Sequence, residues 1–440
     1  MARACGKPSI HGRTGDSSIS RLRRLPRNVV ALGLVSLLND ASSEIIYPLL
    51  PLFLTGSLAM SASFVGLIEG ITESASSLLK YPAGWLSDRL GRRKVLVVLG
   101  YGLASAVRPA LAGASAAWQV LGLRLIDRAG KGIRSAPRDA LIADSVDAGR
   151  RGLAFGFHRA ADHAGAIAGA LLSSWLIVFF AGNYRSVFLA AAAPALLALL
   201  ILIFAVREAE RGDMETRGQG DKGTRRQGNK EAREQGERFS SSPLPLVPPS
   251  PHLTQVFDHN FKRYLVVLLL FTLGNSSDAF LLLRAEQCGA PVAMIPLLWA
   301  ALHVSKSVSS AIGGGMSDRF GRKRLITAGW IVYAAIYFGF AFASTGWEIW
   351  LLFIVYGVYF GLTEGVEKAF VADLSPAELR GTAFGLYNLV IGAGALPASL
   401  MTGWLWDRFG AIAALATGAG LSLTAVLLLT TLVREPTRSN

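Results

Sequence analysis

The chain has 440 residues, of which 52% are hydrophobic and 17% charged, with a formal net charge of +14. Apolar runs of about 20 residues recur along it, each long enough to cross a hydrocarbon core as a helix, which excludes a single soluble core. The runs lack strand-like alternation, which excludes a β-barrel, and lipid offers no water to backbone amides, so each span must satisfy its own hydrogen bonds as a helix.

In chain order, residues 1–28 form a basic tail. Spans are predicted near 29–55, 61–86, 94–114, 117–142, 153–180 and 184–206, a first block of six over 29–206. The first run is about twice the length of a secretory h-region and no A-x-A-like cleavage site follows it, so it is expected to remain as a span. Between 207 and 261 the hydrophobicity collapses into Gly, Glu, Lys, Arg and Gln, then Ser240-Ser241-Ser242-Pro243 and Pro248-Pro249-Ser250-Pro251. That composition predicts a disordered linker, a solvated tether with no chemistry of its own. Spans near 262–286, 291–316, 325–344, 347–372, 383–405 and 410–433 make a second block over 262–434, and residues 435–440 form a short tail.

The positive charge lies at alternate connections: Arg21, Arg23, Arg24 and Arg27, then Arg89, Arg92, Arg93 and Lys94, then Arg150 and Arg151, then Arg319, Arg322, Lys323 and Arg324. By the positive-inside rule those connections, the linker and both tails are cytoplasmic, so the charge reports topology in an inner membrane and not a nucleic-acid partner. Cys5 and Cys288 fall on opposite sides in this topology, and no disulfide framework is available.

The two blocks are copies. Gly84-Trp85-Leu86-Ser87-Asp88-Arg89-Leu90-Gly91-Arg92-Arg93 recurs as Gly314-Gly315-Met316-Ser317-Asp318-Arg319-Phe320-Gly321-Arg322-Lys323, an offset of 230. Ser42-Ser43-Glu44 answers Ser276-Ser277-Asp278, Ala143-Asp144 answers Ala372-Asp373, and Trp175 answers Trp404, all at offsets of 229 to 234. Parallel repeats about an axis along the membrane normal are a known transporter architecture. The expected fold is therefore an all-α polytopic membrane protein of twelve transmembrane helices in two pseudo-symmetric six-helix bundles.

Over nearly its whole length the chain resembles the major facilitator superfamily, whose signature is the G-x-L-x-D-R-x-G-R-R turn after the second span, with a degenerate copy after the eighth. Arg128-Ala129-Gly130-Lys131-Gly132 is similar to the family's R-x-x-q-G pattern, with Lys131 at the usual Gln. Gly165-Ala166-Ile167-Ala168-Gly169 keeps both glycines of the antiporter-associated G-P-x-x-G motif without its proline. The resemblance implies that the turns act as a conformational latch that holds the outward-open state and breaks as the halves rock. The latch set is Gly84, Asp88, Arg89, Gly91 and Arg92, with Gly314, Asp318, Gly321 and Arg322 in the second copy. Asp88 is its central residue, able to accept from helix N-terminal amides or to pair with a cation low on span four.

Charge inside the spans points to a pocket, because a charged side chain at mid-bilayer costs about 2.5–3.5 kcal/mol even on the lenient insertion scale. On span four Arg124, Asp127, Arg128, Lys131, Arg134 and Arg138 share one helical sector of roughly 120°. Span two offers Glu69, Glu73 and Lys80 on one side; span one adds Asp40 and Glu44, with Asn39 and Tyr47 nearby; span five adds His158 and Asp162, with Arg159 and His163 adjacent. The second block supplies Asp278, His303, Lys306, Glu364, Glu367 and Lys368. Arg134, Arg138 and Asp139 are expected to hold helices and gate the cytoplasmic side. Asp40, Glu44, Glu73, Arg124 and Arg128 lie nearer mid-depth and are expected in a solute pocket or in proton coupling, together with Glu69, Lys131, His158, Asp162, Asp278, His303 and Lys306. Arg138-Asp139 and Glu367-Lys368 occupy matching repeat positions with reversed sign order and are expected to meet across the cytoplasmic closure.

His158 and His163 are five residues apart and share no helical face, so satisfied or proton-shuttling histidines are favoured over metal ligands. No G-x-x-x-x-G-K-[ST] loop is present, so ATP-driven pumping has no support and an ion gradient is the expected energy source, with no cofactor. The expected function is a secondary active transporter that exports a small ionic organic solute in exchange for protons. Membrane lipid and a small-molecule substrate are its partners, and no obligatory protein partner is implied. Alternatives on the same fold are uptake symport or export of a divalent metal. A membrane enzyme would need a localised nucleophile constellation, and a sensor would need a motif-bearing linker; the sequence shows neither.

Overall fold

The computed structural model describes residues 25–90, 93–146, 151–208, 257–376 and 380–435, apart from the side chains at 80–81, 84–85, 87–90, 151–153, 311–319 and 380–382. Among these the first block contains α1 (Arg27–Ser57), α2 (Ala62–Leu90), α3 (Arg93–Ala112), α4 (Ala117–Asp144), α5 (Arg151–Phe179) and α6 (Tyr184–Ala205). The second contains α7 (His259–Gln287), α8 (Ile295–Phe320), α9 (Arg322–Phe342) and α10 (Gly346–Asp373). One last element, Arg380–Leu432, bends at Gly410 (φ 86°, ψ 170°), a conformation glycine adopts freely, into an arm α11 before the bend and α12 after it.

Nine helices among the described residues are long and apolar enough to cross a membrane. The 50-residue stretch Ala383–Leu432 is one of them, and its roughly 75 Å of helix accounts for two crossings. α2 and α4 complete the twelve; both are long enough but carry interior charge, seven charged residues between Arg124 and Asp139 in α4 alone.

Within the first bundle α1 packs on α5 and α6, α2 on α4, and α3 on α4 and α6. The second bundle repeats this with α7 on α11 and α12, α8 on α10, and α9 on α10 and α12. Small residues set these approaches, as they do where lipid supplies no hydrophobic drive between helices. A Cβ on Gly169 would stand 2.8 Å from the Ala41 Cα, so both glycines of the incomplete fifth-span motif serve the α1–α5 contact, Gly165 against Leu37. Large apolar side chains face outward as well as inward: Phe204 is 80% exposed, Trp118 70% and Trp347 66%. Trp118 with Trp347, and Trp175 with Trp404, are repeat mates at the end away from the basic turns, where an aromatic belt marks the lipid–water interface.

Two helices depart from regularity. Pro48 and Pro51 cannot donate, and α1 tightens to a 3-10 turn at Tyr47–Leu49 before loosening to a π turn at Phe53–Ser57. α7 breaks between Gly274 and Ala279. Its freed carbonyls are satisfied from α9, where the Tyr333 hydroxyl donates to Gly274 O (3.1 Å) and that of Tyr337 to Ser276 O (3.3 Å). A broken helix lining the middle of a bundle is tolerated only with such partners.

The halves meet along α2–α11 and α5–α8, one contact repeated twice by the pseudo-symmetry. Both seams close at the end away from the basic turns. Gly66, Gly70 and Gly403 let α2 and α11 touch at Ser399, Leu396 and Ser63, and the Ser74 hydroxyl donates to Gly392 O at 2.6 Å. Asp407 of α11 accepts from the Ala62 and Ser63 amides, each at 2.9 Å, and so caps α2 of the other half. On the second seam the Ser174 hydroxyl donates to Ala293 O at 2.6 Å. The main apolar core runs across both halves at this end, whereas Val29, Leu32, Val97, Tyr101, Leu141 and Leu202 form a separate cluster near the basic turns of the first half.

Candidate functional site

At the basic-turn end each bundle is tied by the same set of bonds. Arg93, at the start of α3, pairs with Asp144 at the end of α4, and Arg322, which starts α9 one place before the aligned Lys323, makes the corresponding bonds to Asp373 and Ala369 O, both at 2.5 Å. Gly321 joins α8 to α9 with φ 89°, the sharp bend the motif glycine supplies. Glu208 accepts from the Arg93 and Lys94 amides (2.8 and 2.9 Å) and Glu435 from the Lys323 amide (3.4 Å). Asn28 exchanges two hydrogen bonds with the Arg207 backbone (3.0 Å each) and Asn260 does the same with Arg434 (2.8 Å each). Glu208 and Glu435, assigned to linker and tail, therefore belong structurally to the bundles. Gly91 and Arg92 lie outside the described residues, and Gly84, Asp88, Arg89, Gly314 and Asp318 outside the described side chains.

In the first bundle the structure brings spans two and four together. The Arg124 guanidinium donates to Glu69 at 3.1 Å and lies 3.7 Å from Asp127 and 5.9 Å from the Tyr47 ring centre; Arg124 is 5% exposed and Glu69 8%. Charges so deeply buried persist only when paired in this way. Arg108 of α3, 2% exposed, donates to Asn39 at 2.8 Å, and Asn39 in turn donates to Asp40 at 3.0 Å. The His158 ring stands 3.4 Å from Asp162, which also accepts from the Ser36 hydroxyl. Arg138 pairs with its neighbour Asp139 at 2.9 Å, and Arg134 lies over the Tyr101 ring at 4.4 Å. Glu73, Asp127 and Glu69 are the carboxylates that act on Arg128, and Glu73 and Asp40 those that act on Lys131.

In the second bundle Asp278 sits at the break in α7 and accepts from the Tyr356 hydroxyl at 2.7 Å. Lys306 pairs with Glu364 across α8–α10 at 3.4 Å and lies over the Phe360 ring at 4.1 Å. His303 packs edge-on against Trp299 with ring centres 5.2 Å apart. Glu367 is buried and accepts from Trp330 (2.9 Å) and Tyr387 (2.8 Å), while Lys368 is exposed. Among the described residues no hydrogen bond or ion pair joins Arg138-Asp139 to Glu367-Lys368.

A polar bond crosses between the halves among the interior charges: the Trp299 indole of α8 donates to Glu44 of α1 at 2.7 Å, with Tyr47 against the same indole at 5.0 Å. Sequence reasoning missed Trp299, Arg108 and the ladder Trp330, Tyr333, Tyr337, Tyr356 and Tyr359. An arginine within an apolar span signalled Arg108, and aromatic recurrence at i, i+3 and i+7 signalled the ladder. Among the described residues no group of three His, Cys, Asp or Glu is placed to hold a metal ion.

A bundle duplicated by a pseudo-two-fold axis, with charge inside and two matched seams, has counterparts among known proteins. The family model of the Major Facilitator Superfamily matches residues 32–398. An uncharacterized MFS-type transporter of Methanocaldococcus jannaschii is 34% identical over 412 residues, covering 90% of this chain and 94% of that protein. A homolog of the multi-drug resistance efflux pump PmrA from Lactococcus lactis is 24% identical over 84% of this chain and 86% of its own. The crystal structure of a D-xylose-proton symporter shares the fold with a TM-score of 0.69 at 18% identity, covering 93% of this chain and 98% of that one. Family model, full-length relative and fold agree, and the chain belongs to the major facilitator superfamily of membrane transporters.

Proposed function

We propose that the protein is a proton-coupled exporter of a small ionic organic solute. It rocks its two bundles about the α2–α11 and α5–α8 seams, with the buried charges of α1, α2, α4, α8 and α10 forming the solute site. The positive-inside distribution supports an inner-membrane orientation with both termini cytoplasmic, which makes the present state the inward-open one. The observation that carries the reading is the Glu44–Trp299 bond, in which a carboxylate of one half holds an indole of the other at the level of the buried charges.

A hydrogen bond to a charged acceptor contributes about 1.5–3 kcal/mol against about 0.5–1.5 kcal/mol for a neutral one. Protonation of Glu44 therefore weakens the outer closure by about 1 kcal/mol, roughly fivefold in the balance between two states. The efflux pump named among the relatives supports export as the direction.

The test is collapse of a pH gradient in everted membrane vesicles on adding organic anions, organic cations or divalent metals, with wild type beside Glu44→Gln. The reading expects collapse by organic ions, reduced at least fivefold in the variant. Collapse by metals alone, or an unchanged response in Glu44→Gln, refutes it.

A further inference from the structure

Several cations of the spans have a bonded partner. Among the described residues Arg108 bonds Asn39, Arg124 bonds Glu69, Arg134 reaches Gly100 O and the Tyr101 ring, Arg138 bonds Asp139, and Lys306 bonds Glu364. Arg128 and Lys131 have neither a hydrogen bond from their cationic groups nor an ion pair. The Arg128 Nε is buried with no acceptor, while Lys131 is exposed. They stand three residues apart on α4, hence on one face and within about 6 Å of each other. α4 packs against α2, whose Glu69 and Glu73 carry charge of the opposite sign.

Two like charges side by side in a low-dielectric cavity repel one another, and a buried donor left without an acceptor carries its full desolvation penalty. An anion between the two would satisfy the orphaned donor and relieve the repulsion at once. Glu69 is bonded to Arg124 at 3.1 Å, and Asp127 lies 3.7 Å from the same guanidinium. Lys131 stands where the family pattern has glutamine, which adds a second cation to the motif.

We infer that Arg128 and Lys131 form the subsite for an oxyanion group, a carboxylate or phosphate, of the transported solute, an inference that rests on the transport reading above. The guanidinium supplies a planar two-donor edge and the ammonium a mobile point charge, a combination that fits a trigonal or tetrahedral oxyanion and rejects an ammonium group. Lys131 is the accessible member and meets the solute first; Arg128, the more enclosed one, fixes its orientation.

The test uses the full-length protein in two arms. In the first, proteoliposomes are offered an equimolar mixture of monocarboxylates, dicarboxylates, phosphate monoesters and quaternary ammonium compounds, and mass spectrometry records what crosses. The expected transported set is anionic, and Lys131→Gln, which restores the family residue, is expected to raise its KM about tenfold to a hundredfold, while Arg185→Gln, a cation at the far end of the bundle, leaves it unchanged. Transport of the ammonium compounds, or an unaltered KM in Lys131→Gln, overturns the assignment.

In the second arm inorganic phosphate is titrated at constant ionic strength against the melting temperature of the purified protein. Stabilisation is expected in wild type and in Arg185→Gln but not in Arg128→Gln/Lys131→Gln. Stabilisation that persists in the double variant, or that is absent from wild type, overturns the subsite. If nothing crosses in the first arm, the transport reading fails and the second arm alone decides on the anion site.

Discussion

Replacing Glu69 by leucine isolates the energetics of the buried charge cluster. The substitution keeps a similar volume and leaves Arg124, 5% exposed, without its 3.1 Å partner. Removing one member of a buried pair costs about 3–5 kcal/mol. Arg124 retains Asp127 at 3.7 Å and the Tyr47 ring at 5.9 Å, which places the loss at the lower end, about 3 kcal/mol. For a bundle of this size each kcal/mol moves the midpoint by about 2–4 °C, so the melting temperature of the purified protein is expected to fall by about 6–12 °C. The double variant Glu69→Leu/Arg124→Met removes both charges and is expected to recover most of that loss, since apolar replacement of a whole buried pair is often neutral. A fall below 2 °C in the single variant, or a double variant less stable than the single, refutes the argument.

Asp407→Ala removes a helix cap that spans the halves and is expected to weaken the outer closure by about 1 kcal/mol, read as alkylation about fivefold faster at a cysteine placed at Ser63 in a background lacking Cys5 and Cys288. An unchanged rate counts against the cap. Gly169→Val drives a side chain into the Ala41 backbone and is expected to abolish monodisperse protein on size exclusion, whereas Gly156→Ala, where nothing lies within 4 Å, is expected to be harmless. Asn28→Ala and Asn260→Ala each delete two exposed hydrogen bonds in matching places, and each is expected to cost about 1–2 kcal/mol; melting shifts that differ more than twofold would break the equivalence of the two clamps.

The fold was largely legible because span length and the repeated turn are local features. Predicted span limits lie within a few residues of the helices, except that α11 and α12 are continuous through Gly410 where a loop was expected. The one-sided stripe on α4 and the acids of α2 made pairing between the two helices possible without assigning it, and the structure shows one such pair, Arg124–Glu69. What sequence could not supply was depth and tertiary choice. Glu44 is one of several interior acids by its position in the chain, and only the packing of α8 against α1 gives it Trp299 across the seam. Glu367, read from the sequence as an interior charge meeting Arg138-Asp139 across the closure, is held in the structure by Trp330 and Tyr387 of its own bundle. The clamps of Asn28 and Asn260 join segments 179 and 174 residues apart, a separation that no local pattern announces.

Alternating access about the two seams is measured most directly by distances between spin labels on α5 and α11, one pair at positions 156 and 385 near the basic turns and one at 175 and 404 at the far end. All four positions are exposed. On acidification, and in Glu44→Gln at neutral pH, the far-end distance is expected to lengthen while the basic-turn distance shortens. Two distances that change in the same direction, or that stay fixed under both perturbations, would contradict rocking governed by Glu44.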